Sequence, residues 1–297
     1  MSDVRLENAD LVVDVSPRGG TLWRVMAKID GHEIALLREP PMGDDRNPLQ
    51  AACFPLVPFA NRVRANRFRF EGREYGFKPN MAWDRHYLHG DGWTHRWEVA
   101  RQGLDAASLQ FSYRGDDTPY VYEAEQAIGL RGRQIELSLA VTNRGKAALP
   151  FGLGWHPYFP LMTGTRLLAP AKSYWNEDAQ WLPVTRQEVS GDLDFCAGAP
   201  VPRRWINTQF EDWNGRAAIA WPEQALALTL DADPLFGRYL IFVSDPVFDP
   251  AYAFEFFCFE PMSHSLDAHN RADGGGLKRL APGETLKGTM RMAWARA

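Results

Sequence analysis

The chain has 297 residues, 45% of them hydrophobic, with 33 Lys and Arg against 37 Asp and Glu. A net charge of −4 gives no long-range attraction to phosphate backbones or anionic lipid heads, which argues against nucleic-acid and membrane-surface roles. No uncharged apolar run reaches the roughly 20 residues of a spanning helix, and MSDVRLENAD has neither the basic nor the apolar region of a secretory leader, so a cytoplasmic protein is expected.

In chain order, Leu11–Val15 and Thr21–Ala27 alternate loosely between apolar and polar residues, as does His95–Ala100. Ser108–Tyr113 alternates more clearly. The pattern is strongest in Gln134–Thr142, where every odd residue is apolar, and it returns in Ala225–Asp231. Period 2 marks half-buried strands. Turn signals separate these runs at Arg18-Gly19-Gly20, Asp30-Gly31, Glu71-Gly72, Asn143-Arg144-Gly145 and Pro282-Gly283. No long stretch keeps a 3.6-residue apolar period, and no repeat or linker divides the chain. The expectation is an all-β, mostly antiparallel sandwich over residues 1–297 as one domain. Phe77–Thr94 and Arg271–Gly276 break the pattern, and the first is aromatic and histidine-rich, as functional loops on a rigid scaffold tend to be.

The chemistry-bearing residues cluster. Five of seven histidines fall in HYLHGDGWTH and MSHSLDAHN, while His156 stands in GWHPYF beside Trp155, Tyr158 and Phe159. Pro157 biases the residue before it to an extended conformation, so His156 projects at a fixed angle. It reads equally as a proton donor or acceptor and as a core histidine bonded to a carbonyl. Glu260 ends the apolar run Ala251–Phe259. Treated as one extended strand, that run puts Glu260 on the face of Phe254, Phe256 and Cys258, and Glu255 on the other, which speaks against a paired-carboxylate glycosidase. Desolvation at the end of such a stripe would raise the carboxyl's pKa, although a plain solvated strand end is the alternative. Arg62 and Arg64 alternate around Val63, which suits either a solvated face or a guanidinium fork for hydroxyl oxygens.

A zinc site built from His86, His89, His95 and His156 is not expected. His86 and His89 are three apart, there is no H-E-x-x-H, and the odd, scattered Cys53, Cys196 and Cys258 suit neither a thiolate site nor a disulfide framework.

Together, PFANRV at 58–63, HYLHGDGW at 86–93, GWHPYF at 154–159 and CFEPMSHSLDAHN at 258–270 resemble, in order, the motifs of the aldose 1-epimerase (galactose mutarotase) family. The resemblance implies a large two-sheet β-supersandwich and an enzyme that interconverts the anomers of a free sugar. It implies His156 as general acid and Glu260 as general base, with Asn61, Arg62, His89 and Tyr158 on the sugar's hydroxyls and ring oxygen, and no metal or other cofactor. One base and one acid suffice to open and reclose a hemiacetal. Reference pKa values near 4.3 for Glu and 6.5 for His lead to an expected bell-shaped pH profile, widened as the carboxylate favours imidazolium. Trp83 or Trp93 is a candidate to cover the sugar's apolar face. Where family members usually carry a sugar-binding aspartate, this chain has Asn207, with Asp192 or Asp194 as substitutes for the missing carboxylate. The alternatives are a non-catalytic sugar-binding or sensing protein, a hexose-6-phosphate mutarotase using Arg64, Arg67 and Arg69, and a lyase or hydrolase on a related sandwich.

Overall fold

The structure is a computed structural model that describes residues 3–41 and 46–297. Two large antiparallel sheets of eleven and nine strands dominate it. The larger runs in the order Val4–Glu7, Leu11–Ser16, Thr21–Ile29, Cys53–Leu56, Gly154–Pro160, Phe256–Met262, Arg238–Val243, Ile206–Glu211, Ser173–Glu177 and Pro183–Glu188, with His32–Ala35 added beside Thr21–Ile29. The other runs Glu98–Gln102, Ala106–Tyr113, Tyr122–Arg131, Gln134–Asn143, Thr285–Arg296, Leu226–Ala232, Arg216–Trp221, Arg166–Leu168 and Ala199–Pro200. No helix among the described residues is long and apolar enough to cross a membrane.

Alternation builds the core. In Gln134–Asn143 the odd residues Ile135, Leu137, Leu139 and Val141 are fully buried while their neighbours are half-exposed. They meet Val13, Val25, Phe159 and Phe257 of the larger sheet in one apolar layer. Two expectations shift at their edges. The strand expected at His95–Ala100 begins only at Glu98, because the His95 carbonyl and the Trp97 N–H bond instead to Gly19 and Pro17 in the neighbouring turn. The run Ala251–Phe259 is extended only from Phe256. Phe254 has φ +58°, and the Glu255 carboxylate accepts the Ala253 N–H at 2.8 Å, which closes a local turn.

The larger sheet is covered on both faces. One carries Trp155, Phe159, Phe257, Phe259 and Ile241 toward the main core; the other carries Phe54, Tyr158, Leu240 and Cys258 in a separate apolar cluster. That second face is the floor of a cleft.

Candidate functional site

Parity assembles the floor. Side chains alternate along a strand, so His156 shares a face with Tyr158, and Glu260 with Cys258. Gly154 pairs with Met262 and Tyr158 with Cys258, and the same register sets His156 directly across from Glu260. Pro157 and Pro261 immediately follow the two residues and lack N–H donors, so the ladder is interrupted beside the pair. His156 Nε2 lies 3.2 Å from Glu260 Oε1, and Glu260 is only 2% exposed. The second polar atom of each, His156 Nδ1 and Glu260 Oε2, is buried without a partner. The imidazole stacks against the rings of Phe54 and Tyr158, nearly parallel to each at 4.5 and 4.7 Å. Arg38 lies 3.7 Å from the Tyr158 ring centre and donates to the Leu49 and Ala51 carbonyls at 2.7 and 2.8 Å. Such packing leaves the histidine little rotamer freedom.

Two loops supply the cleft's next groups. Arg62 and Val63 pair with Leu88 and Tyr87, which holds the PFANRV and HYLHGDGW segments together. The Asn61 N–H donates to His89 Nδ1 at 3.0 Å and the His89 N–H to the Asn61 carbonyl at 3.0 Å, with both residues in the left-handed region at φ +61° and +63°. Gly90 follows at φ +69°, and a Cβ there would lie 2.4 Å from the Val57 carbonyl oxygen, so the turn needs glycine. Arg62 donates from Nε to Asp84, whose side chain is fully buried, at 2.8 Å. The final motif braces this turn from below: His264 Nε2 accepts the Ala60 N–H at 2.9 Å, and Asp267 accepts the Arg64 N–H and Nε at 2.9 and 3.0 Å.

The reciprocal bond decides what His89 offers. Its Nδ1 lone pair is taken by Asn61, so the neutral ring carries its hydrogen on Nε2 and presents a donor. Donor atoms of His89, His156 and Glu260 all lie within 4.8 Å of one another. Binding a metal through His89 Nε2 would force a hydrogen onto Nδ1, against the Asn61 N–H, so this donor set does not suit an ion. Of the other histidines in the zinc set, His86 Nδ1 accepts the Ala65 N–H, and His95 packs near Phe111 and Tyr113.

Burial governs the electrostatics. It pushes the Glu260 carboxyl well above the ordinary carboxylate range, with Arg62 the cation that opposes it. Burial, with the Arg38 charge adding to it, pushes His156 down to about 3. His89 is likewise driven well below the usual imidazole range by burial, then by His156 and Arg62. The expected ionised Glu facing an imidazolium therefore does not describe the cleft. Desolvation of two charges outweighs their attraction, and one proton rests on the carboxyl, facing a neutral imidazole.

All seven residues singled out for the site, Asn61, Arg62, His89, His156, Tyr158, Asn207 and Glu260, line a single cleft of about 820 Å³. Several other expectations are corrected. Asp192 is paired with Arg204 at 2.8 Å and Asp194 accepts the Cys196 N–H at 3.0 Å, and neither lines the cleft. The carboxylate beside Asn207 is Glu177, which accepts from Asn207 Nδ2 at 2.5 Å and from Trp205 Nε1 at 2.7 Å. Trp93 is buried against Phe54 and bonds the Leu88 carbonyl, whereas Trp83 stands at the rim. Glu255 lies on the cleft after all, because its residue precedes the strand and parity does not apply to it. Arg64, Arg67 and Arg69 are not among the lining residues. Sequence reading missed Arg38, Phe54, Asp84, Glu177, Trp181, Trp205 and Phe248. Of these, Asp84, two residues before His86, and Phe54, four before PFANRV, stood near a motif, and nothing separates Trp181 or Trp205 from the other nine tryptophans.

The chain matches the Aldose 1-epimerase family model over residues 2–293. It is 44% identical over 300 residues to the uncharacterized protein YphB of Escherichia coli (strain K12), covering 99% of this chain and 100% of that one. A crystal structure of a candidate aldose 1-epimerase from Escherichia coli K12 superposes with a TM-score of 0.94 at 43% identity, covering 100% of this chain and 99% of the other. A galactose mutarotase-like protein from Clostridium acetobutylicum shares the fold, with a TM-score of 0.85 at 18% identity over 99% of this chain and 95% of its own. With its four motifs gathered around one cleft in a two-sheet sandwich, the chain belongs to the aldose 1-epimerase family.

Proposed function

We propose that the protein is an aldose mutarotase that interconverts the α and β anomers of a free sugar, with His156 and Glu260 as its proton-transfer pair. The observation that carries this reading is the 3.2 Å contact between His156 Nε2 and Glu260 Oε1 on a buried cleft floor, with an unpartnered polar atom left on each side chain. One proton on the pair is what the reaction needs. The base takes the proton of the anomeric hydroxyl as the acid gives one to the ring oxygen, the C1–O5 bond breaks, and the open aldehyde turns about C1–C2. Reclosure on the other face runs the same transfers in reverse, so no redox group takes part.

Burial suits the pair to this work. A carboxylate stripped of water is a stronger base than a solvated one, and an imidazolium stripped of water a stronger acid. With sugar bound, its hydroxyls and Arg62 stabilise the ionised carboxyl, and the proton passes to His156. His89 Nε2–H, the Arg62 guanidinium, the Asn61 and Asn207 amides and the Tyr158 hydroxyl hold the remaining oxygens. The absence of Arg64, Arg67 and Arg69 from the lining weighs against a hexose-6-phosphate substrate.

Polarimetry on freshly dissolved α-anomers of several aldoses tests the reading. Catalysed approach to the unchanged anomeric equilibrium is expected, and Glu260→Gln should slow turnover by roughly 10²–10⁴-fold while sugar still binds. Full turnover in Glu260→Gln would overturn the assignment. Binding without acceleration in the wild type would favour a sensing protein.

A further inference from the structure

Strand register extends the cleft floor sideways from the reacting pair. Leu240 lies across from Glu260, and Phe242, two residues on and so on the same face, lies across from Asn207. The next strand pairs Ser173 with Glu211 and Tyr174 with Phe210, and the same register carried to its end sets Glu177 opposite Asn207. There both oxygens of the Glu177 carboxylate are taken: Oε1 accepts from Trp205 Nε1 at 2.7 Å and Oε2 from Asn207 Nδ2 at 2.5 Å. These two donors oppose the upward push that burial gives the carboxyl. Asn207 lines the cleft, whereas Glu177 stands behind it and is not among the lining residues.

A carboxylate only accepts, so it decides which end of the neighbouring amide turns toward it. Asn207 Nδ2 faces Glu177, and Oδ1 is the end left for the cleft. We infer that Glu177 is a positioning residue, which holds Asn207 with its carbonyl toward the cleft as the acceptor for a sugar hydroxyl. The inference rests on the mutarotase reading. An acceptor matters here because the groups on the PFANRV and HYLHGDGW loops are donors. His89 Nδ1 is taken by the Asn61 N–H and Asn61 Oδ1 by the Arg62 N–H at 2.8 Å, so these two side chains present N–H groups, as does the Arg62 guanidinium. The cleft's second arginine, Arg38, is a donor too, bonded to the Leu49 and Ala51 carbonyls. A hydroxyl that accepts from one of these groups keeps a hydrogen to give, and a donor at position 207 would leave it unmatched. Glu39, Asp249 and Glu255 also line the cleft, but they stand in loops rather than on the floor strands, and Asp249 and Glu255 accept the Ala251 and Ala253 N–H groups of their own turns.

Glu177→Gln tests this by turning the amide round. Trp205 Nε1–H still needs an acceptor, so the introduced glutamine gives it the carbonyl and points its NH₂ at Asn207, which must then offer Oδ1 to that NH₂ and Nδ2 to the cleft. Adding Asn207→Asp gives the glutamine a carboxylate to donate to and returns an acceptor to the cleft, whereas Asn207→Asp alone sets two carboxylates together. The measurement is mutarotation of glucose and galactose by polarimetry in the wild type, both single variants and the double variant, at about pH 8, above the ordinary carboxylate range. Each single variant should raise KM roughly three- to tenfold, the worth of one hydrogen bond, with kcat within about twofold, and the double variant should return KM to within about twofold of the wild type. If Asn207→Asp alone does not fold, Glu177→Gln against the double variant carries the comparison. An unchanged KM in Glu177→Gln, or a double variant no better than Glu177→Gln, would overturn the inference and leave the mutarotase reading intact. If the wild type accelerates no sugar, that reading fails, and calorimetry with galactose on the same proteins decides: loss of affinity in Glu177→Gln with rescue in the double variant would support the positioning role, and equal binding or none would overturn it.

Discussion

A buried carboxyl used for proton transfer should weaken the fold in a pH-dependent way, and Glu260→Gln isolates that effect. The side chain is 2% exposed, and burial pushes its carboxyl well above the ordinary range. As pH rises above the unfolded carboxyl's value near 4.3, the unfolded chain releases its proton while the folded one keeps it. The unfolded state then binds one proton fewer, so this residue's contribution to stability is full at acid pH and is lost as pH climbs to the folded-state value. The slope is about 1.4 kcal/mol per pH unit. Glutamine keeps the shape and cannot ionise, so the variant should gain on the wild type by that amount per unit, or roughly 2–4 °C in Tm. His156 is present in both proteins, so its own titration largely cancels in the difference. Thermal melts of both at half-unit steps from pH 5 to 9 provide the measurement, and the pH at which the difference levels off reports the folded-state value. A Tm difference independent of pH would mean that the carboxyl is solvated or ionised in the folded protein, and the proton placement argued here would fall.

Two further outcomes follow from other buried groups. Burial holds His89, His156, His264 and His269 below the usual imidazole range, so each contributes stability that is present above about pH 6.5 and lost as pH falls toward its folded value. The Glu260, Asp91 and Glu177 carboxyls, pushed up by burial, work the other way but are outnumbered, so urea midpoints should still drop between pH 6.5 and 4.5 with net proton uptake on unfolding; net proton release across that span would refute the neutral assignment. Asp84→Ala strips Arg62 of a buried counter-ion, which should cost about 3–5 kcal/mol of stability and raise KM; a cost below about 1 kcal/mol would show that Arg62 reaches water.

The fold and much of the site are legible in the amino-acid order. Strict alternation in Gln134–Thr142 identifies a strand buried on one side, since only an extended backbone turns every second side chain to the same face. The motif residues His156, Glu260, Asn61, Arg62 and His89 all line the cleft, because each stands in a short segment whose composition, with Pro or Gly at set positions, limits the backbone. Reading fails where a residue's setting is made by distant chain. Asp192 and Asp194 are sensible substitutes beside Asn207 on spacing, but Glu177 comes from the adjoining strand order and meets Asn207 only in three dimensions. Parity misjudges Glu255 because Phe254 is left-handed and the extended run starts only at Phe256, one residue too late for the rule to reach Glu255.

The sequence by itself determined that this is a two-sheet β protein with an imidazole and a carboxyl in ordered motifs, since alternation and turn chemistry are local properties. Only the tertiary structure decided the protonation of those groups, the tautomer of His89 and the orientation of the Asn207 amide. Each of these depends on what other strands bring within a few ångströms, and on how completely they exclude water.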